Sequence, residues 1–139
     1  MDTKMLNTDF PLDPKYFPLP LDTRWLGGKM WMLLAPFEYH SREHGIIRAE
    51  IGFETDYGSK PSWCWFLVGS PTDEGGASYV LHDWLCKYAT WDRAITDRIF
   101  LEMLKDSEVA YLKRMSMYYS VRLWYFWGNL QCLKKMILK

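Results

Sequence analysis

The chain has 139 residues, of which 49% are hydrophobic and 17% are aromatic. This length fits one domain, and this much apolar material excludes a disordered chain. The 17 basic residues balance the 17 acidic ones, which argues against a protein that mainly grips the phosphate backbone of nucleic acid.

The cysteine content and the N-terminus exclude two further classes of protein. Cys64, Cys86 and Cys132 are few and far apart in the sequence, unlike a secreted disulfide scaffold, so we expect reduced thiols in the core. The N-terminus lacks the apolar segment of a signal peptide. Residues 115–127, the most apolar stretch, are too short for a bilayer and include Arg122. We therefore expect a soluble protein with no membrane span.

Residues 1–22 form a proline-rich N-terminal arm, and residues 23–139 form a single α+β domain. The arm has four prolines between residues 9 and 21, which block helix and favour extended structure. It either packs on the domain through Phe10, Tyr16 and Phe17 or docks to another chain. Packing is the favoured alternative.

The first part of the domain has the pattern of β-strands. Residues 30–34 are an apolar run after a Gly27-Gly28 turn, and residues 37–40 alternate apolar and polar side chains. Residues 41–45 then read as a hairpin turn and residues 46–53 as the returning strand. The pattern predicts a small antiparallel sheet of about three strands.

The second part of the domain has the pattern of helices. Residues 61–68 predict a short helix, residues 77–88 a second one with an apolar face, and residues 91–105 a third one capped by Thr90. A fourth helix at 109–127 is apolar nearly all round, which predicts a central position in a bundle. Residues 129–139 add a short amphipathic helix. The fold class is therefore α+β, with the small sheet packed on three to four C-terminal helices. The deepest stripe of the fourth helix is expected at Leu112, Met115, Tyr119 and Leu123.

The charges are unevenly distributed along the chain. Residues 109–139 hold six basic residues and no acidic one. This segment is either a basic tail that approaches nucleic acid, anionic lipid or an acidic partner, or a buried helix with snorkelling Lys and Arg side chains. The many aromatic residues favour the buried helix.

Four short blocks, in this order, resemble a known family. Residues 52–61 match Gly-Phe-x-Thr-Asp-x-x-Ser-x-Pro, and residues 79–85 match an apolar-apolar-His-Asp-x-Leu helix. Residues 97–102 resemble an Asp-x-x-Phe segment, and residues 117–123 a C-terminal aromatic helix. These blocks are similar to those of the phage and prophage family catalogued as domain of unknown function 1353, over roughly residues 23–128.

The resemblance implies a phage or prophage origin and action in the cytoplasm of an infected bacterial host. It implies no known reaction. Ser62 stands where the family often has Arg, and Cys86 stands where it often has Tyr. Any site shaped by those two positions is altered in this chain.

One imidazole and three carboxylates are the best candidates for chemistry. Asp56, His82, Asp83 and Asp97 could together hold a divalent metal, and Asp56, His82 and Asp97 could act as general acid and base. The alternative is a structural network in which Asp56, His82 and Asp97, with Ser59 and Pro61 at a helix start, tie the sheet to the helices. The network is the favoured interpretation.

The aromatic residues suggest a surface for a protein partner, with Trp63, Trp65 and Trp91 as candidates. The leading hypothesis is a phage accessory protein that binds a host or phage protein, for example as an inhibitor of host defence. It expects no cofactor and no nucleic acid partner, and it leaves the oligomeric state open. The alternative is a small metal-dependent hydrolase built on the Asp/His cluster, and a further one is a virion or lysis-cassette component. Whether the chain is an enzyme stays open.

Overall fold

The computed structural model describes residues 12–57 and 75–138. In these two ranges five strands come first and three helices follow, which confirms the predicted α+β class with a small antiparallel sheet. The predicted helix at 61–68 lies outside the described residues. So do Phe10, Ser59, Pro61, Trp63, Cys64 and Trp65.

The strands form two small antiparallel sheets. β1 (Thr23–Gly27), β2 (Met30–Leu33) and β5 (Glu54–Thr55) form one sheet in the order β1-β2-β5. β3 (Phe37–Ser41) and β4 (Gly45–Ala49) form a separate hairpin, in which Tyr39 pairs with Ile47.

The predicted strand at 46–53 is wrong in its second half. β4 ends at Ala49, and the chain turns through Gly52 before β5 begins. Gly52 has a φ of 86°, a conformation that side-chain-bearing residues rarely adopt. Its N–H donates to the Leu33 carbonyl at 2.9 Å. The turn at Gly52 therefore moves the chain from the hairpin to the edge of β2.

The hairpin and the arm form one side of the core. Phe37 and Tyr39 of β3 are fully buried, and so is Ala49 of β4. The Phe17 ring of the arm lies 6.0 Å from the Phe37 ring and 5.0 Å from the Tyr39 ring. Residues 12–22 thus pack on the domain, as the sequence analysis favoured for the arm.

The first two helices cover the hairpin. α1 spans Gly76–Tyr88 and α2 spans Arg93–Asp106, and both contact β3. The predicted cap of α2 is wrong. Asp92 caps the helix, since its carboxylate accepts from the Ala94 N–H at 3.4 Å, and a carboxylate at this position satisfies an amide that has no partner within the helix.

The last helix differs most from its prediction. α3 spans Tyr111–Ile137 without a break, so the separate helix at 129–139 is wrong. Leu112, Tyr119 and Leu123, expected at the deepest stripe, are 79%, 56% and 67% exposed, and Met115 is half-buried. The buried side instead carries Met117, which is fully buried.

Gly75 helps to determine which side of α3 faces the core. A side chain at Gly75 would collide with the Met117 side chain, so the glycine lets the start of α1 approach this side of the helix. The apolar residues on the other side of α3 stay in solvent. From residue 123 to residue 138 every side chain except half-buried Tyr125 is exposed, so the buried-helix interpretation of this segment is wrong.

The structure also corrects the expectation for the cysteines. Cys86 and Cys132 are free thiols on exposed residues, so neither belongs to the core. None of the helices described in the structure is long and apolar enough to cross a membrane.

Candidate functional site

A fully buried carboxylate joins the three helices. Asp97 of α2 is 0% exposed. His82 of α1 donates from Nε2 to Asp97 Oδ1 at 2.6 Å, and Arg93 donates from Nε to the same oxygen at 2.8 Å. Arg122 of α3 donates from Nη1 to Oδ2 at 3.0 Å. We call these four residues the Asp97 cluster.

The protonation states of the cluster follow from burial and from these bonds. Burial lowers the pKa of His82 below its ordinary value, and it outweighs the opposing effect of Asp97. Burial is the largest single influence and would raise the pKa of Asp97, but the hydrogen bonds from His82, Arg93 and Arg122 together outweigh it and lower this pKa. Near neutral pH the cluster therefore holds an ionised Asp97, a neutral His82 and two guanidinium groups.

The surroundings of His82 are largely apolar. Its ring lies 4.6 Å from the Phe100 ring, and the Cys86 Sγ lies 3.7 Å from Nε2. Although Cys86 is an exposed residue, its sulfur lies against the buried His82 ring, and the partial loss of hydration there raises the pKa of the thiol to about 11. Since the thiolate is the nucleophile of cysteine chemistry, this thiol is poorly reactive at neutral pH.

Asp83 binds the first sheet, and Asp56 lies next to this contact in the chain. Thr55 of β5 donates from Oγ1 to Asp83 Oδ2 at 2.7 Å, so Asp83 connects α1 to the first sheet while His82 faces the helices. Successive residues on a helix point about 100° apart, which explains the separation. Asp56 is half-buried and follows Thr55 directly.

These contacts explain the cluster without a metal. In residues 12–57 and 75–138 no group of three or more His, Cys, Asp or Glu side chains is arranged to hold a metal ion. Both oxygens of Asp97 accept from guanidinium groups, which a cation would have to displace. The metal site stays a prediction that this geometry does not support. A structural network accounts for His82 and Asp97, and the assignment of Ser59 and Pro61 to that network stays a prediction.

A second polar cluster, which the sequence did not reveal, joins α2 to the hairpin. The Tyr39 hydroxyl donates to Asp106 Oδ2 at 2.6 Å, and Arg42 donates from Nη2 to Asp106 Oδ1 at 2.8 Å. Glu102, one turn earlier, accepts from the backbone N–H of Arg42 at 3.1 Å. Burial and the bond to Asp106 raise the pKa of Tyr39. The available signal was a pair of acidic residues one turn apart at the end of a helix.

An open groove of about 720 Å³ lies beside this second cluster. It is bounded by the hairpin turn at 42–44, by α2 from residue 95 to residue 105, and by the start of α3 at 111–115. Among its lining residues, Arg98, Lys105 and Arg114 form no ion pair within the described part of the chain.

Aromatic side chains stand at the border of the groove. Tyr111 lines it and is 64% exposed. Trp91, a predicted partner residue, is 41% exposed, and its ring lies 5.5 Å from that of the lining residue His44. The Nδ1 of His44 is buried and lacks a hydrogen-bond partner among the described residues. The groove therefore combines unpaired basic groups, exposed aromatic rings and one unsatisfied ring nitrogen.

A family model described as a protein of unknown function, DUF1353, matches residues 31–121. The chain belongs to the DUF1353 family. The match runs from β2 to the middle of α3, so it contains His82, Arg93, Asp97 and the whole groove. The C-terminal half of α3, with Arg122, lies beyond it. No curated protein and no solved structure matches the chain.

Proposed function

We propose that this DUF1353 protein is a phage or prophage accessory protein that acts in the host cytoplasm by binding a host or phage protein. The observation that carries the proposal is the groove between the hairpin turn, α2 and α3. Its chemistry fits an acidic, partly apolar segment of the partner.

The charges of the groove favour an acidic ligand. Four basic residues line it, Arg42, Arg98, Lys105 and Arg114, against two acidic ones, Glu43 and Glu102. Arg42 is held by Asp106 and Glu102. Arg98, Lys105 and Arg114 form no ion pair with another described residue, and the Arg114 guanidinium lies over the Tyr111 ring at 5.4 Å. Complementary charge increases the association rate and selects the partner more than it raises the final affinity.

The residue types around the groove are those that dominate protein interfaces. Tryptophan, tyrosine and arginine are enriched among the side chains whose truncation weakens binding most. Trp91, Tyr111, Arg98 and Arg114 supply all three types at one place. Ile95 and Met115 add apolar surface between them.

The proposal is tested by reversing the charge of the groove. The full chain, immobilised, is used to capture proteins from a lysate of infected host cells, and the captured protein is then purified and its affinity measured. We expect the double variant Arg98→Glu with Lys105→Glu to lose at least tenfold in affinity. We also expect the affinity of the native chain to fall with rising salt, because exposed charges are screened.

A matched control places the same charge change elsewhere. Arg24→Glu with Lys29→Glu alters two exposed basic residues around the β1–β2 turn, and we expect this variant to bind like the native chain. Equal binding by the groove variant and the control would contradict the proposal. The purified partner can also be a host defence protein. Inhibition of its activity by the native chain, but not by the groove variant, then identifies the chain as its inhibitor.

A further inference from the structure

A stripe of exposed apolar side chains runs along the last two thirds of α3. Its members are between 41% and 70% exposed. They are Tyr119, Leu123, Phe126, Leu130, Leu133 and Ile137, and we call them the α3 stripe. Most of the stripe lies beyond the region that matches the DUF1353 model.

The α3 stripe lies on the side of the helix opposite to the core. Met117 is fully buried and Val121 is packed against the core. At about 100° per residue, positions 117 and 121 point away from the mean direction of the stripe by about half a turn. The stripe is therefore a second apolar face, and packing among residues 12–57 and 75–138 does not use it.

The spacing within the stripe is that of a coiled coil. Successive members are separated by four, three, four, three and four residues, which gives the 3.5-residue repeat of two supercoiled helices. A helix whose outer side faces only solvent gains no stability from an apolar repeat on that side. A partner helix with the same repeat, supercoiled around α3, contacts the stripe along its whole length. We propose that the partner is the α3 helix of a second copy of this chain.

The area of the stripe is close to that of a standard interface. Aromatic side chains present roughly 150–250 Å² each, so side chains exposed to this degree leave on the order of 700 Å² of stripe in solvent. A standard interface buries about 800 Å² on each partner. Trp127, which is 60% exposed and follows Phe126, extends the apolar surface at the edge of the stripe.

The flanking charges permit self-association. In a parallel pair of identical helices, the residue before the first apolar position of each repeat lies opposite the residue after the second apolar position on the partner helix. This places Arg122 opposite Trp127 and Asn129 opposite Lys134. Neither pair brings like charges together.

A lipid surface fits the stripe less well than a second copy does. Helices that lie in a membrane interface carry a polar face rich in Lys and Arg. Between residues 123 and 138 the charged residues are Lys134 and Lys135, and Lys134 lies next to the stripe at the position after Leu133. The polar side of this helix is therefore weakly charged.

The test is the molar mass of the full chain in solution, measured by light scattering and by analytical ultracentrifugation over a range of concentrations. We expect a dimer for the native chain and a monomer for Leu130→Glu, which places a charge in the centre of the seam. Trp124→Glu is the matched control, because it replaces a larger exposed side chain, 58% exposed, outside the seam. We expect this control to remain dimeric.

Helical content by circular dichroism shows whether each variant is folded, and Leu123→Glu provides a second seam variant. A native chain that is monomeric at high micromolar concentration would overturn the proposal. So would equal dissociation of the seam variants and the control. Binding of a monomeric native chain to vesicles of anionic lipid, abolished by Leu130→Glu, would assign the stripe to a membrane instead. These outcomes do not involve Arg98 or Lys105, so the dimer and the proposed partner groove can fail separately.

Discussion

Two buried carboxylates on α2, Asp97 and Asp106, perform different tasks at the two ends of the same helix. Asp97 lies within the helical layer and accepts from α1, from its own helix and from α3. Asp106 lies at the end of α2 and accepts from Tyr39 and Arg42 of the hairpin. One helix thus binds its helical neighbours at its start and the hairpin at its end.

The two carboxylates also differ in how far their arginine partners are removed from water. Arg93 and Arg122 are 22% and 34% exposed, whereas Arg42 is 50% exposed. Burial increases both the strength of an ion pair and the penalty for losing one partner. The position of a buried carboxylate relative to water, more than the number of its bonds, therefore determines how much stability depends on it.

The largest expected effect is that of Asp97→Asn. The change leaves two guanidinium groups close together without a counter-charge, and we expect the free energy of unfolding to fall by about 3 kcal/mol. Urea denaturation measures the change. Metal content, measured on the same native and variant samples, checks the alternative hypothesis. Bound metal in the native chain that is absent from a folded variant of undiminished stability would favour the hydrolase over the network.

A smaller effect is expected for Asp106→Asn. Its amide can still accept from Tyr39, and Arg42 reaches solvent, so we expect a loss of about 1.5 kcal/mol. The same denaturation experiment compares the two variants directly. A loss at Asp106 greater than that at Asp97 would reverse the comparison and show that the hairpin contact matters more than the helical one.

The smallest expected effect, taken over one pH unit, is a dependence of stability on pH that arises from His82. The pKa of this buried imidazole is lowered in the folded chain. Below pH 6.5, the ordinary pKa of histidine, the unfolded chain therefore binds a proton at His82 that the folded chain does not yet bind. Stability is therefore complete above pH 6.5 and falls as the pH drops toward the folded pKa, by at most about 1.4 kcal/mol per pH unit for one proton.

The control for the pH effect is His82→Gln, since its amide can donate to Asp97 but does not titrate. Thermal unfolding between pH 7.5 and pH 5 should show a shallower decline for this variant. Asp97, whose pKa is also lowered, adds its own loss only below about pH 3.8, outside this range. An identical decline in both proteins would contradict the assignment to His82.

Part of the site could be predicted because the imidazole and the carboxylates fall in segments where sheet and helices meet, and polar groups buried there need partners. This argument found Asp97 and His82. It did not find Arg122, because a long basic side chain on an apolar helix is equally compatible with snorkelling to solvent. Asp106 was missed because a carboxylate at a helix end is usually exposed, and only the hairpin in three dimensions buries it.

In the fold, too, the features set by local sequence periodicity could be predicted, and those set by contacts between distant residues could not. The pattern predicted the hairpin and α1, since their periodicity is local and has one apolar face. For α3 the pattern showed apolar residues on two sides but could not tell which side the domain would cover. Contacts between residues far apart in the sequence, such as that of Gly75 with Met117, make that choice.

The opposite placement of the two apolar faces of α3 has a consequence for how this protein can change over generations. Met117 and Val121 are constrained by their packing in the core, whereas the side chains of the α3 stripe are exposed. Mutations in the stripe can accumulate, or be selected, with little effect on folding. The partner proposed for the stripe can therefore change in a descendant without loss of stability of the domain itself.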